Sequence, residues 1–359
     1  MPLVPYKKKK KKWITTPGDY RKVMQSAISN HHEKPVQMDA RHIRMPTDYS
    51  FQDIIPPPDK PEVNIAIINA FGTGLGDTLI GLNAYKLYLQ ILQNKYPRTK
   101  YNFDLYKFVN PTTEIIRLYS GLYRTIRSLP TRLDALQEYD GWIDFGHFVG
   151  LKGFHEQNCF DFYLNAFSVD ATEIPPEKKR LNLPLPQQTQ DRARKALQRY
   201  RKPGKPICYV NPVASSFCRS LPPIWAWALC QMLSERFTVL TSVSTDWRLE
   251  HVHEVSQYTG TFVEYAALIS QCDVMFSTDT LAVHLADCFS IPTVAVYPTI
   301  KSDLRSRYYP TVKSIDLPDH ELSIVIKPQD TRGNRAIIEN AWKKLNPEEV
   351  VKELSALPL

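Results

Sequence analysis

The sequence predicts an α/β protein with two doubly wound parallel sheets and a basic N-terminal extension. Apolar, β-rich runs alternate with helical stretches in two successive series, and a segment rich in proline and charge at 174–186 separates them. Strands that alternate with helices at this spacing are typical of parallel sheets. The predicted parts are an extended basic segment (1–60), two Rossmann-like domains (61–180 and 187–333) and C-terminal helices (334–359).

The composition is that of a globular protein, with 43% hydrophobic and 23% charged residues. No apolar run approaches the ~18 residues that a membrane span requires, and no apolar segment of a secretory signal follows the N-terminal lysines. We therefore expect a cytoplasmic protein that associates with a membrane or nucleic acid at most peripherally. The six cysteines are widely spaced, which favours buried reduced thiols over a metal site.

The positive charge is concentrated in the extension. Residues 1–60 hold 12 Lys and Arg against 6 Asp and Glu, which accounts for +6 of the net +8. Six consecutive lysines repel one another and attract polyanions such as lipopolysaccharide, DNA or RNA. The alternative is a solubilising tail. The residues of this run are Lys7, Lys8, Lys9, Lys10, Lys11 and Lys12.

The first domain opens with a strand, a glycine-rich loop and a helix. The strand covers 63–70, the loop contains Gly74 and Gly76, and helical apolar spacing extends over 78–93. Glycines at this point let the backbone approach a ligand closely. Their spacing is neither that of the dinucleotide fingerprint nor that of a P-loop.

The second domain contains a strand–loop–helix–strand unit at 274–299. An apolar run ends at small polar residues, a helix opens at Thr280, and another apolar run follows Pro292. Backbone N–H groups and the dipole at a helix N-terminus favour phosphate binding. The alternative is a packed unit in which Asp279 caps the helix and His284 lies in the core.

Two Rossmann-like halves joined by a short link form the architecture of GT-B nucleotide-sugar transferases. Ligands bind there at the carboxyl ends of the strands, in the cleft between the halves. The sequence therefore predicts a GT-B fold with a cleft that contains the candidate site.

Three motifs carry a resemblance to glycosyltransferase family 9, the ADP-heptose:lipopolysaccharide heptosyltransferases and their relatives. The segment 76–83 resembles the first-loop Gly-Asp motif of the family, and 211–222 resembles its loop ending in Lys-x-Trp-Pro. Residues 279–286, followed by Tyr297-Pro-Thr299, resemble the motifs Asp-Ser-Gly-Pro-Met-His-Leu-Ala and Gly-Pro-Thr. Their order and spacing hold from about residue 61 to 316.

The chain departs from this pattern at several positions. Asn83 stands in place of the family proline, Arg219 replaces lysine and Leu221 replaces tryptophan. Leu281 replaces a glycine beside the diphosphate, and Ser242 lies where a glycine-rich turn is usual. The last two differences bear on which donor the protein accepts.

Sugar transfer from a nucleotide diphosphate requires a base for the acceptor and charge stabilisation for the leaving group. Asp77 is the candidate base, a role that the resemblance also implies, and its alternative role is an N-cap of the first helix. No metal site and no resident cofactor are expected, because cationic side chains and helix dipoles can balance the charge of the leaving group. The candidate donor ligands are Ser215, Ser216, Arg219, Asp279, Thr280 and His284, with Asp246 and Glu264 as candidates for the ribose.

Two functions follow as hypotheses. The first is an inverting glycosyltransferase that moves a heptose-like sugar from a nucleotide sugar to a glycan, to lipopolysaccharide or, as a variant, to modified nucleic acid. The second is an inactive descendant that serves as a structural component of a nucleic-acid assembly through its basic arm. Leu281 and the long tail motivate the second hypothesis, whereas Asp77 and Arg219 argue against it.

Overall fold

The computed structural model of the chain describes residues 61–146, 148, 152–243, 247–317 and 332–358. The predicted basic segment and its six lysines lie outside these residues. The described residues form two parallel sheets with helices packed against them, so the predicted GT-B α/β fold is confirmed. None of the helices in these ranges combines the length and the apolarity that crossing a membrane requires.

The first sheet has four parallel strands in the order β3-β2-β1-β4. Alternate residues of β1 face opposite sides, so Val63, Ile65 and Ile67 contact the helices while Ala66 and Ile68 lie in a second, smaller core. The elements of this domain are β1 (Glu62–Ile68), α1 (Leu75–Lys95), β2 (Lys100–Lys107), α2 (Thr112–Leu118), β3 (Thr125–Ser128), a 3₁₀ helix (Leu133–Glu138), β4 (Gly141–Asp144) and α3 (Cys159–Ala166).

The second sheet has six parallel strands in the order β10-β9-β8-β5-β6-β7, with helices on both faces. Its three central strands β9, β8 and β5 are buried along their whole length, as expected for a parallel sheet covered on both sides. The elements are α4 (Gln187–Leu197), β5 (Ile207–Asn211), α5 (Pro223–Ser234), β6 (Thr238–Thr241), β7 (Val252–Glu254), α6 (Phe262–Ile269), β8 (Val274–Thr278), α7 (Leu281–Phe289), β9 (Thr293–Tyr297), α8 (Asp303–Ser306), β10 (Val312–Asp316), α9 (Arg332–Trp342) and α10 (Pro347–Ala356).

The two edge strands of the second sheet, β7 and β10, were not predicted from the sequence. β7 has only three residues, all half-buried, and β10 includes exposed Lys313 and Asp316. Neither segment shows the continuous apolar run that marks the central strands. Their pairing partners in the sheet, rather than their own composition, determine their conformation.

One continuous apolar core connects the two domains. It includes Leu79 and Leu82 of α1 together with Val283 and Leu285 of α7, all fully buried. These two helices come from different sheets and pack against each other beside the cleft. The relative position of the two sheets is therefore fixed by core packing.

Buried polar contacts add to this interface. Lys179, in the segment between the domains, donates to Asp161 of α3 at 2.7 Å and to the Tyr308 hydroxyl at 3.1 Å. The Tyr308 hydroxyl in turn donates to Asp161 at 2.6 Å. The Asp287 carboxylate accepts from the Leu181 backbone at 2.8 Å and so connects α7 to the same segment.

A further contact crosses the cleft. Glu114 of α2 accepts from the backbone N–H groups of Phe262 and Val263, at 3.1 and 3.3 Å. These are the first two residues of α6, so a carboxylate of one domain caps a helix of the other. This arrangement suits the helix dipole, because negative charge is favourable at an N-terminus.

We predict that Lys179→Met lowers the free energy of unfolding by about 3 kcal/mol, because it leaves the buried carboxylate of Asp161 without its cation. Urea denaturation followed by circular dichroism measures the change. Lys178→Met is the matched control, since Lys178 is exposed and its loss should cost less than about 0.5 kcal/mol. Equal midpoints for the two variants would show that the buried pair contributes nothing to the interface.

Candidate active site

The loop that follows β1 has an unusual backbone conformation. Asn69, Phe71 and Gly72 all have positive φ angles, of 52°, 59° and 74°. A Cβ atom at Gly72 would lie 2.1 Å from the Phe148 ring, so only glycine fits there. Glycine is therefore required at position 72 both by the positive φ angle and by the close approach of the Phe148 ring.

The buried side chain of Lys107 stabilises this loop by hydrogen bonds. Lys107, the last residue of β2, donates to the carbonyls of Ala70, at 2.7 Å, and of Gly72. Burial lowers the pKa of Lys107 to about 7, because the charged amine is removed from water. These two hydrogen bonds hold the carbonyls of the loop in place.

Asp77 lies in the first turn of α1, with its carboxylate facing the cleft. The N-cap residue of α1 is Gly74, and the Asp77 side chain makes no capping bond. Within the described part of the chain this carboxylate has no hydrogen-bond partner, so the alternative N-cap role is not observed. Burial raises the pKa of Asp77, and Asp279 adds to the effect while Arg305 and Arg219 oppose it.

The facing helix, α7, opens with a network of small polar groups. Thr280 is its N-cap, and its hydroxyl accepts from the Ala282 backbone at 3.1 Å. Asn211, at the end of β5, donates to Thr280 at 2.8 Å and to Ser277 at 3.2 Å. The ends of the adjacent strands β5 and β8 thus fix the N-terminus of α7 at the cleft.

Arg219 is positioned by the same edge of the sheet. Its guanidinium donates to the carboxylate and to the carbonyl of Asp279, both at 3.1 Å, and to the Ser215 hydroxyl at 2.9 Å. Asp279 therefore orients Arg219 rather than capping α7. Ser216 accepts from Ser220 through its backbone carbonyl and does not line the cavity described below.

His284 of the second domain lies against the first loop of the first domain. A Cβ atom at Gly76 would lie 2.8 Å from the His284 ring, so the glycine makes room for the imidazole. The Nδ1 atom of His284 forms a 2.8 Å hydrogen bond with the Tyr309 hydroxyl. Burial, reinforced by Arg305 and Arg219 and opposed by Asp279, lowers the pKa of His284 to about 4, so the ring is neutral at pH 7.

The sequence analysis does not predict two residues of the cleft, Arg305 and Tyr309. Arg305 lies on the short helix α8, is 8% exposed and lines the same cavity as Asp77 and His284. The signal that could have found them is their position after β9, where the carboxyl edge of the sheet meets the cleft. Their neighbourhood, 300–309, has no periodicity that distinguishes Arg305 from Arg307.

These residues enclose a cavity of about 550 Å³ between the domains. A second cavity of about 580 Å³ adjoins it and is lined by Glu114, Ser242 and Tyr265 among others. Leu281 lines both cavities and therefore lies where they adjoin. The members of the first cavity that the sequence predicted are Gly74, Gly76, Asp77, Ser215, Arg219, Thr280 and His284, while Asp279 contacts it through Arg219.

Of the two candidate ribose ligands, the structure describes only Glu264, which does not line this cavity. Asp246 lies outside the described residues. Glu264 forms a reciprocal capping box with Thr261 at the start of α6, which its Thr-x-x-Glu spacing could have indicated. Their roles at a ribose remain predictions.

In the described ranges, no group of three or more His, Cys, Asp or Glu side chains is arranged to hold a metal ion. None of the six cysteines, all of which lie in the described ranges, forms a disulfide, and five of them are buried.

Several solved structures with the same fold are glycosyltransferases. A family 9 glycosyl transferase from Veillonella parvula is 11% identical, with a TM-score of 0.54, and the match covers 82% of this chain and 96% of that one. The E. coli ADP-heptose lipopolysaccharide heptosyltransferase II is 13% identical, with a TM-score of 0.55, and coverage is 82% and 98%. No family model matches the sequence, and the search of curated proteins found no match.

A third structure contains a ligand. The dodecameric iron-containing heptosyltransferase TibC, from enterotoxigenic E. coli, is 12% identical, with a TM-score of 0.53. The match covers 83% of this chain and 76% of TibC, which was solved in complex with ADP-D-β-D-heptose. At these identities the comparisons establish that the chain has the GT-B fold of these transferases.

We expect the stability of the protein to fall between pH 6.5 and pH 4 in a way that depends on His284. The pKa of this histidine drops from 6.5 to about 4 on folding, so in this range the unfolded chain binds a proton that the folded one does not. The stabilisation is complete above pH 6.5, and about 3 kcal/mol is lost by pH 4.

His284→Asn should remove this part of the pH dependence, as measured by urea denaturation at several pH values. His155→Asn, at an exposed position, serves as the control. If the profiles of wild type and His284→Asn run parallel, the histidine is not buried in its neutral form.

Proposed function

We propose that this protein is an inverting glycosyltransferase that moves a heptose-like sugar from a nucleotide-diphosphate donor to an acceptor hydroxyl. One observation carries the proposal. In a single cavity, the unbonded carboxylate of Asp77 from one domain faces Arg219 and the N-terminus of α7 from the other. A base and an anion site on opposite walls are what displacement at an anomeric carbon requires.

The donor diphosphate would lie against the second domain. Thr280 and the first N–H groups of α7 offer hydrogen bonds to phosphate oxygens, and Arg219 adds a planar guanidinium suited to bidentate contact. Ser215 provides a further hydroxyl beside Arg219. These protein groups would balance the charge of the leaving diphosphate. The enzyme would then need no resident cofactor.

Asp77 would act from the opposite wall. The acceptor oxygen attacks the anomeric carbon while its proton passes to the Asp77 carboxylate. The bond between the anomeric carbon and the phosphate oxygen breaks, and its electron pair leaves with the diphosphate. Because attack and departure occur on opposite faces, the configuration inverts. The burial that raises the pKa of Asp77 also makes it a stronger base.

His284 would act as a neutral hydrogen-bonding group beside the diphosphate. Its Nδ1 atom is engaged by Tyr309, and the Nε2 side of the ring lies against the first loop at Gly76. Since its pKa is lowered to about 4, the ring contributes a dipole rather than a charge at neutral pH.

The nucleoside would occupy the adjoining cavity. Its walls combine Tyr265, Phe262 and Leu281 with polar groups of Ser242 and Thr261, which is the mixture typical of small-molecule sites. Leu281, at the junction, would separate the base from the phosphates. A heptose-like sugar is supported by TibC, which shares the fold and binds ADP-D-β-D-heptose.

We predict that an ADP- or other nucleotide-sugar raises the melting temperature of the wild type, by linkage equivalent to about 2.7 kcal/mol at 100 times Kd. Arg219→Ala should abolish this rise. Asp77→Asn should keep the rise but lower the rate of sugar transfer by about 10²- to 10⁴-fold, since the base is lost and the anion site is not. Differential scanning fluorimetry and a transfer assay measure the two effects.

Arg201→Ala is the matched control, because Arg201 pairs with Asp273 away from the cleft. A wild type that responds to no purine or pyrimidine diphosphate sugar would contradict the catalytic proposal. That outcome would favour the inactive, structural alternative.

We also propose that the acceptor, or the surface that carries it, is polyanionic and is attracted by Lys7–Lys12. Deletion of residues 1–13 should weaken binding to DNA, RNA or anionic vesicles and flatten its dependence on salt. Filter binding and vesicle sedimentation at several salt concentrations distinguish these partners. A variant with glutamine at all six positions controls for chain length, and binding unchanged by the deletion would leave the lysines without this role.

A further inference from the structure

Arg305 is a buried cation of the cleft, and the described residues supply no carboxylate that pairs with it. Its guanidinium stacks on the Phe154 ring, 4.9 Å from the centroid, and donates to the Leu304 carbonyl at 2.9 Å. Among the described residues no carboxylate lies within ion-pair distance of it, although Asp77 and Asp279 interact with its charge from further away.

Burying such a charge without a partner is unfavourable. A guanidinium has five N–H donors, and within the described ranges only one hydrogen bond of Arg305 is found, to its own neighbour. The residue is nevertheless 8% exposed and lines the cavity. An apolar side chain of similar size would destabilise the folded state less than this buried charge does. A buried charge of this kind therefore indicates a functional role.

The contrast with Arg219 defines what Arg305 could bind. Arg219 is already paired with Asp279 at 3.1 Å, so its charge is partly neutralised before any ligand arrives. Arg305 keeps its full charge and reaches the same cavity from α8. The cavity therefore offers a second positive group that is not needed to balance a protein carboxylate.

We propose that Arg305 is a second anion ligand of the cleft, which binds phosphate oxygens together with Arg219. This inference rests on the proposed function and specifies its site further. Phosphate oxygens could come from the donor diphosphate or from a phosphate group on the acceptor. In both cases the ligand would supply the counter-charge that Arg305 lacks, and Phe154 would keep the guanidinium plane in place.

Arg305→Met tests the proposal, with inorganic pyrophosphate, ADP and a hexose 6-phosphate as probes in isothermal titration calorimetry. We expect affinity for at least one probe to fall about 10- to 100-fold, the loss typical of charge-assisted hydrogen bonds. The melting temperature without ligand should stay unchanged or rise, because a buried charge has been replaced by a side chain of similar size. Arg305→Lys should restore part of the affinity, since it keeps the charge but not the planar fork.

Arg307→Met is the matched control. Arg307 follows two residues later but is ion-paired with Asp303 and does not line the cavity. Its loss should leave the affinity for every probe unchanged. A marked fall in the melting temperature of ligand-free Arg305→Met would assign the arginine a structural role and overturn the proposal.

The three probes distinguish a donor diphosphate from an acceptor phosphate. They also distinguish failure of this inference from failure of the proposed function. Weaker binding of pyrophosphate and ADP identifies the donor diphosphate, whereas weaker binding of the hexose phosphate alone identifies the acceptor. If the wild type binds ADP and Arg305→Met binds all probes equally well, this inference fails and the proposed function stands. If the wild type binds none of the probes and also responds to no purine or pyrimidine diphosphate sugar, both fail.

Discussion

The close approach of two helix N-termini from different domains organises the cleft. Because Gly76 has no side chain, the ring of His284 reaches the start of α1, and α7 can pack beside it in one continuous core. This contact sets the distance between the wall that carries Asp77 and the wall that carries Thr280. A larger residue at Gly76 would clash with the His284 ring, so the ring or the first loop would have to move.

The charged side chains of the cleft differ in whether they form an ion pair within the protein. Asp279 neutralises and orients Arg219, whereas neither Asp77 nor Arg305 has an ion-pair partner among the residues that the structure describes. Two uncompensated groups of opposite sign on different walls are costly in an empty cavity. They are well suited to a reaction that moves a proton to one wall and develops negative charge at the other.

The sequence predicted most of the fold because its central strands and long helices are strongly patterned. The loops at Asp77 and Thr280 could be recognised because glycine and small polar residues there follow apolar strands. Arg305 could not be recognised, since its burial depends on Phe154, which belongs to the other domain. The position of Glu264 after a strand suggests a ribose ligand, whereas the structure shows its carboxylate in a capping box with Thr261, and its role at a ribose stays a prediction.

The contact between Glu114 and the first turn of α6 has a consequence for substrate exchange. The cleft cannot widen at this point without exposing two backbone N–H groups that the carboxylate now satisfies. Water would replace these bonds on opening, so the penalty is modest, about that of one exposed helix cap. Under the proposed function, the two hydrogen bonds of Glu114 would add to the core packing and favour a closed cleft that keeps water from the reacting centre.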